Sequence, residues 1–269
     1  MIQKAPGIIL ECSRNARDLG GIPSADGRRV ACARLIRSGE LSRLSENDER
    51  YLQGISLRCV VDFRTSQERA LKSDRQMPGV EHLHLPVIEK MLPGITRESI
   101  EDPYKAFSRP DYAERLGSNG FAVMKSLYPL LVKTDSAISN YSRFFRLLEQ
   151  NESGAILWHC AMGKDRAGVA SAMLLYVLGA SWDDIFADYL LTGKRCADEI
   201  REATDACREF TDDERVIESV FWLNTTHEEY LAAAFDTMRE MCGSVDEYLK
   251  QKLGITEQRK QKLRQLYLT

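Results

Sequence analysis

The chain lacks the cysteine and histidine spacings of a metal site or a disulfide framework. Its seven cysteines form no Cys-x-x-Cys pair and are odd in number, and it has only four histidines. Such usage is typical of a protein in a reducing compartment. We therefore expect no metal, no cofactor and a cytoplasmic location, although export by an unconventional route would leave no trace in the sequence.

Long apolar runs and a strong charge imbalance are absent as well. The longest apolar stretch, around residues 169–178, is too short to span a bilayer, and residues 1–6 lack the apolar core of a signal peptide. The net charge of −3 gives no reason to expect nucleic-acid binding. No repeat or break in composition appears, and 43% hydrophobic residues supply a sizeable core, so we expect one domain over residues 1–269.

Residues 156–168 carry the clearest pattern in the chain. An apolar run ends at Cys160, five residues lead to Arg166, and a helical pattern of small and apolar residues follows. This order predicts a strand, a tight loop and a helix N-terminus. The first N–H groups of a helix attract anions, and an arginine there offers a planar fork that fits phosphate. The same positive field stabilises a thiolate, so Cys160 is a candidate nucleophile facing a bound phosphoryl group.

The segment His159-Cys160-x-x-Gly163-Lys164-Asp165-Arg166-x-Gly168 resembles the signature loop of cysteine-dependent phosphatases. Its Gly-Lys-Asp-Arg form is similar to the bacterial tyrosine and phosphoinositide phosphatase family of the PtpB and LipA type. The resemblance implies a domain like that of protein-tyrosine phosphatases and a reaction through a cysteinyl phosphate. A buried cysteine on an ordinary turn would not explain two glycines and three charges between a strand and a helix.

Four further segments resemble motifs of the same family. The segment at residues 15–21 predicts a tight turn that either supports the loop or contacts substrate. In the segment at residues 62–65, Asp62 and Arg64 follow a strand, at the edge where α/β sheets bind ligands. These two side chains therefore orient the loop, face the substrate or form an internal ion pair. The segments are Asn15-Ala16-Arg17-Asp18-Leu19-Gly20-Gly21, Arg37-Ser38-Gly39, Asp62-Phe63-Arg64-Thr65 and Asp188-Tyr189-Leu190-Leu191.

Strand and helix patterns alternate up to residue 160, and helical patterns follow. They predict an α/β fold with a central, mostly parallel sheet flanked by helices, and a helical C-terminal layer over residues 197–269. Residues 91–135 predict a helical insertion, which the resemblance implies is a lid, although packed decoration fits equally well. Ser45, Thr65 and Thr226 are expected helix caps. The last helix is rich in Lys and Arg, which predicts a solvated face or, alternatively, peripheral attraction to an anionic membrane.

A phosphatase also needs an acid that protonates the leaving oxygen. Many tyrosine phosphatases carry it in a Trp-Pro-Asp loop, and this tripeptide is absent from the chain. We expect Asp165 to be the acid, as the resemblance also implies, with Asp102 and Asp111 as alternatives. The positive field of the loop opposes protonation of Asp165 unless burial or a carboxylate such as Asp62 offsets it.

The expected site residues fall into two sets. Cys160, Asp165 and Arg166 are the expected catalytic residues. Among the others, His159 is expected to orient the loop and Lys164 to place a second cation beside the pocket. The expected substrate-binding residues are His159, Ala161, Met162, Gly163, Lys164, Ala167, Asp62 and Arg64.

Ala167 departs from the family pattern, which usually has a threonine after the arginine. The hydroxyl of that threonine hydrogen-bonds the thiolate and helps it leave in the second step, so the alanine predicts slow breakdown of the phosphoenzyme. The leading interpretation is a protein-tyrosine phosphatase with dual specificity that acts on phosphotyrosine proteins. The alternatives are a phosphoinositide phosphatase, which Lys164 would suit, and a phosphate-binding pseudophosphatase, which Ala167 suggests.

Overall fold

A five-stranded sheet organises the part of the chain that the structure describes, namely residues 10–13, 15–90, 92, 94–96 and 119–269 of a computed structural model. The strand order is β1-β2-β5-β3-β4, with only β1 antiparallel to its neighbour. The strands are β1 Arg17–Asp18, β2 Leu35–Ser38, β3 Leu57–Asp62, β4 Glu81–His84 and β5 Ala155–His159.

The register of the sheet brings three strand ends together. His159, the last residue of β5, lies opposite Ser38 at the end of β2 and opposite Asp62 at the end of β3. Because these strands are parallel, the segments that follow them leave from the same edge of the sheet. This edge therefore gathers the Arg37-Ser38-Gly39 segment, the Asp62-Phe63-Arg64-Thr65 segment and the signature loop.

Helices make up most of the remaining described residues. The helix α1 begins after Ser45 and α2 after Thr65, and both starts form capping boxes, as predicted. The helices are α1 Glu46–Gly54, α2 Ser66–Leu71, α3 Gly120–Leu127, α4 Leu130–Lys133, α5 Asp135–Gln150, α6 Arg166–Leu178, α7 Trp182–Arg195, α8 Ala197–Arg208, α9 Glu214–Asn224, α10 Glu228–Cys242, α11 Val245–Leu253 and α12 Glu257–Tyr267.

Both faces of the sheet are covered, as a mostly parallel sheet requires. Alternate residues of β5 point to opposite sides. Ile156 and Trp158 join the larger core with α5, α6 and the later helices, whereas Ala155 and Leu157 join a smaller core that includes Leu52 of α1. The predicted α/β fold with helices after residue 197 is confirmed. None of the helices within the described ranges is long and apolar enough to cross a membrane.

The predicted cap at Thr226 and the predicted insertion at 91–135 have different outcomes. The predicted cap Thr226 is wrong, because the side chain of His227 caps α10 and accepts a hydrogen bond from the Glu229 N–H. The predicted insertion at 91–135 lies largely outside the described residues, which include only 92, 94–96 and 119–135 of it. Its role as a lid stays a prediction.

Three of the four basic residues of α12 bind within the protein, and the fourth, Lys262, is exposed. Arg259 pairs with Glu149 at 2.5 Å, and Lys260 pairs with Asp246 at 2.5 Å. Arg264 donates to the carbonyl oxygen of Val177 at 2.8 Å. These contacts fasten α12 to the rest of the fold, so its positive charge gives no support to the alternative of a membrane-facing helix.

The ring of Phe144 is central to the larger core. It is fully buried, and its centroid lies 5.3 Å from those of Phe63 and Trp158. We expect Phe144→Ala to lower the free energy of unfolding by about 3–5 kcal/mol, because truncation removes apolar contacts and leaves a cavity. Urea unfolding measures the change. The control Phe210→Ala, at a ring that is 46% exposed, should stay within about 0.5 kcal/mol of the parent.

Candidate active site

The signature loop connects β5 to α6 and places Cys160 and Arg166 at its two ends. The Cys160 side chain is buried, with 1% of its surface exposed, and Arg166 opens α6. Gly163 has a φ of +67°, and a Cβ atom there would lie 2.3 Å from the carbonyl oxygen of Ser38. Only glycine satisfies both conditions, so this position fixes the tight curvature of the loop.

Hydrogen bonds from other segments hold the carbonyl groups of the loop. The Asn15 amide donates to Met162 O at 2.8 Å, and the Glu40 N–H donates to Ala161 O at 3.0 Å. The Arg37 guanidinium donates to Gly163 O at 2.7 Å. Segments that are distant in sequence therefore set the conformation of the loop.

A buried carboxylate joins these supports. Asp188 on α7 lies 2.7 Å from Arg17 Nε and 2.6 Å from an Nη of Arg37. Burial alone would raise the pKa of Asp188, but the two guanidinium groups outweigh it and hold the pKa below its usual range. Burial also lowers the pKa of Arg37 to about 10. The motif around Arg17, which was predicted either to support the loop or to contact substrate, is thus placed behind the loop.

Arg166 is held by Glu68, the acidic residue of the capping box that Thr65 opens. Its two Nη atoms donate to Glu68 at 2.5 and 2.9 Å, and one also donates to Ile95 O at 2.7 Å. Glu68 at the same time accepts the Thr65 N–H that closes the capping box. The signal that could have found this role is the position of Glu68 in the first helical turn after a strand that ends at the site.

The Nε atom of Arg166 differs from the two Nη atoms of the same side chain, which both have hydrogen-bond partners. It is buried and has no hydrogen-bond partner among the described residues. A buried donor without a partner is costly, so such atoms point to a missing ligand or ion. Although burial would lower the pKa of Arg166, Glu68 more than offsets it, and the guanidinium stays charged.

Asp62 and Arg64 form an internal network, which corrects their assignment as substrate-binding residues. Arg64 donates to both oxygens of Asp62, at 2.9 and 2.8 Å, and lies 2.9 Å from Asp74. Asp62, Asp74 and His159 offer atoms within 4.8 Å of one another, as at a metal site. Because the Arg64 guanidinium already binds both carboxylates, this group fits a buried ion-pair network better than a cation site.

Lys164 also departs from its predicted place. Its ammonium group is fully buried and donates to Leu223 O at 2.6 Å, and it lies 3.4 Å from Thr225 O and 3.5 Å from Asp165 Oδ1. The last carbonyl groups of a helix lack partners within the helix and attract cations. Lys164 therefore anchors the C-terminal end of α9, and this geometry contradicts a phosphate-facing cation beside the pocket.

Asp165, the expected acid, is 3% exposed and is held by a pair of tyrosines. The Tyr128 hydroxyl donates to Asp165 Oδ1 at 2.7 Å and is itself hydrogen-bonded to the Tyr189 hydroxyl. The two alternative acids, Asp102 and Asp111, lie outside the described residues. Neither tyrosine was singled out from the sequence as a contact of the acid.

The remaining predicted residues sit on or beside the loop. Ala161 and Met162 are half-buried, and Ala167 is buried in the first turn of α6. His159 is fully buried, and its Nδ1 lies 3.2 Å from the carbonyl oxygen of Cys160. This contact has the form expected of a residue that orients the loop.

The shared carboxylate of Asp188 has a testable pH dependence. Asp188→Asn should lower the free energy of unfolding at neutral pH by about 3–5 kcal/mol, because two buried guanidinium groups lose their counter-ion. Since the pKa of Asp188 is lowered by folding, its stabilisation is present above its ordinary pKa of 3.8 and is lost as the pH falls through the lower folded value. The difference between parent and variant in urea unfolding should therefore shrink at acid pH.

The exposed Asp205, which pairs with Arg208 at the surface, provides the matched control for that experiment. Asp205→Asn should change the free energy of unfolding by no more than about 0.5 kcal/mol at any pH. An equal loss in both variants would contradict the role given to Asp188.

Residues 8–269 match the model of a family described as the tyrosine phosphatase family. A Cupriavidus necator protein assigned by name as a tyrosine-protein phosphatase is 30% identical over 255 residues, 94% of this chain and 86% of that protein. The triple specificity protein phosphatase PtpB of Mycobacterium tuberculosis is 28% identical over 258 residues, 88% of this chain and 90% of PtpB. A crystal structure of P. aeruginosa TpbA, 18% identical, covers 81% of this chain and 99% of its own with a TM-score of 0.33. The chain belongs to the tyrosine phosphatase family.

Proposed function

We propose that the protein removes phosphate from phosphotyrosine in proteins, with a specificity that extends to other phosphomonoesters, through a cysteinyl phosphate on Cys160. The observation that carries this proposal is the unpartnered Nε of Arg166. Both Nη atoms are fixed by Glu68, so the guanidinium is oriented before any substrate arrives. The free N–H edge at the thiol end of α6 is the group that a phosphoryl oxygen would bind.

The first step transfers the phosphoryl group to sulfur. The Cys160 thiolate attacks phosphorus, an S–P bond forms, and the bond between phosphorus and the leaving oxygen breaks. Asp165 gives its proton to that oxygen, so the product leaves as an alcohol or phenol. Arg166 and the loop amides hold the equatorial oxygens, where negative charge accumulates in the transition state.

The second step returns the enzyme to its starting state. Water attacks phosphorus, Asp165 takes a proton from that water, and the S–P bond breaks to release inorganic phosphate and the thiolate. Both contacts described above for Asp165, with Tyr128 and Lys164, are made by its Oδ1 atom. We therefore assign proton transfer to Oδ2.

The name of the M. tuberculosis relative, a triple specificity phosphatase, supports a specificity broader than phosphotyrosine. A phosphoinositide stays a substrate to compare against. The two features that favoured a lipid are largely engaged elsewhere, because Lys164 binds the end of α9 and three of the four basic residues of α12 bind within the fold. We accordingly expect the protein substrate to be preferred.

Phosphate release from a phosphotyrosine peptide and from a phosphoinositide, measured side by side, tests the function. The peptide should react faster, and Cys160→Ser should abolish release from both substrates. Arg166→Lys should lower the rate by about 100–1,000-fold, because a lysine ammonium can neither keep the fork on Glu68 nor present a fixed N–H edge to phosphate. A faster reaction with the lipid would move the assignment to phosphoinositides. Release no greater than that of Cys160→Ser would leave a phosphate-binding module without catalysis.

Ala167 provides a test of the second step. Ala167→Thr should raise the steady-state rate on the peptide, because its hydroxyl can stabilise the departing thiolate, and it should reduce the burst of the first turnover. Ala167→Val is the matched control, since it adds the same volume without the hydroxyl and should not raise the rate. A rate for Ala167→Thr that is unchanged or lower would contradict slow breakdown of the phosphoenzyme.

A further inference from the structure

Asp74 lies in the segment after α2 and belongs to none of the motifs discussed above. Its carboxylate is nevertheless buried against the site, with 5% of the side chain exposed. Oδ1 accepts the Leu41 N–H at 3.0 Å and lies 2.9 Å from an Nη of Arg64. Oδ2 lies 3.0 Å from Nε2 of His159. Backbone and guanidinium contacts therefore fix one oxygen of Asp74, while the other faces the residue that precedes the nucleophile.

Both ring nitrogens of His159 face oxygen atoms. Nε2 faces Asp74, and Nδ1 lies 3.2 Å from Cys160 O and 3.9 Å from Asp62 Oδ1. A neutral imidazole donates from one nitrogen and accepts at the other, whereas an imidazolium donates from both. Only Nδ1 makes a hydrogen bond, to Cys160 O, whereas Nε2 approaches Asp74 Oδ2 at ion-pair distance, so the carboxylates favour an imidazolium through their charge in this fully buried place.

The charges around the ring agree with this geometry. The titratable groups that act on His159 among the described residues are Asp62, Asp74, Arg64 and His82. Burial alone would lower the pKa of His159, but the two carboxylates outweigh burial and Arg64, and they raise the pKa above its ordinary value of 6.5. A cleft of about 440 Å³, lined in part by Asp62, Asp74 and His82, gives protons access to the network.

We propose that Asp74 is a positioning residue for the nucleophile: its carboxylate keeps the His159 ring charged and oriented, and so holds a fixed positive charge behind Cys160. This inference rests on the proposed function, in which Cys160 is the attacking thiolate. Nδ1–H orients the backbone of Cys160 through its carbonyl oxygen, while the charge of the ring stabilises the thiolate. Asp74 touches neither substrate nor sulfur and acts only through His159.

The pH dependence follows from the sign of the shift. Because folding raises the pKa of His159, the stabilisation that it contributes is complete below its ordinary pKa and is lost as the pH rises through the folded value. The positive charge behind Cys160 disappears over the same pH range, above the ordinary value of 6.5. Removing the charge of Asp74 should therefore lower the pKa of His159 and leave less of the Cys160 thiolate available for attack.

Asp74→Asn tests the proposal, because asparagine keeps the size of the side chain and an oxygen near Nε2 but carries no charge. The rate of alkylation of Cys160 by iodoacetamide, followed across pH by mass spectrometry of its peptide, measures how much reactive thiolate is present. Its midpoint should rise by about one unit, the size expected when a neighbouring charge is lost. At a pH below both midpoints, kcat/KM on the phosphotyrosine peptide should fall about tenfold, since only the thiolate attacks.

The matched control is Asp246→Asn, which removes a carboxylate that pairs with Lys260 away from the site. It should leave the alkylation midpoint and kcat/KM unchanged. An Asp74→Asn variant that is less stable but has the parent midpoint would reduce Asp74 to a structural residue and overturn the proposal.

A direct titration of the wild-type His159 ring by NMR keeps the test independent of whether the variant folds. The ring should remain an imidazolium above pH 6.5, its ordinary pKa. A ring that is already neutral at that pH would overturn the proposal. The proposed function fails separately if wild-type protein releases no phosphate although the alkylation midpoint responds to Asp74→Asn as expected.

Discussion

The buried contact of Asp188 with Arg17 and Arg37 is the interaction on which the site depends. It joins the N-terminal segment, the end of β2 and α7 at one carboxylate. Arg37 then reaches the loop itself and donates to Gly163 O. Two buried guanidinium groups need a counter-ion, and Asp188 provides it. The Arg37 side chain is thereby held where it donates to the loop carbonyl. The loop owes its shape more to this support than to its own residues, Gly163 excepted.

Much of the fold could be predicted from the sequence, because local signals there agreed with the tertiary structure. The capping boxes at Ser45 and Thr65 start helices as expected, and the apolar run before Cys160 is the buried central strand β5. The predicted helix cap at Thr226 is the exception. The hydroxyl of Thr226 accepts the Gly193 N–H from another helix, and His227 takes over the cap. A local signal is overruled where a tertiary partner competes for the same atom.

The chemistry of the site was only partly predictable, because the partners of charged groups are set by tertiary contacts. Cys160 and Arg166 occupy the two ends of the loop in agreement with their spacing. The same spacing suggested that Lys164 faces phosphate, but it binds carbonyl groups at the end of α9, 59 and 61 residues later in the chain. Asp74 could not be found from the sequence, since no local pattern shows that it faces His159. Asp62 and Arg64 were assigned correctly only in the alternative of an internal ion pair.

The carboxylate of Glu68 has two roles. It closes the capping box at the first turn of α2, and it accepts hydrogen bonds from the guanidinium of Arg166. The helix α2 has only six residues and gains little from length. A change that weakens the first turn of this short helix should therefore also change the orientation of the Arg166 guanidinium. A mutation at Thr65 would therefore change the orientation of the Arg166 guanidinium through Glu68. Although four of the six residues of α2 are exposed, the helix should accordingly tolerate fewer substitutions than this exposure implies.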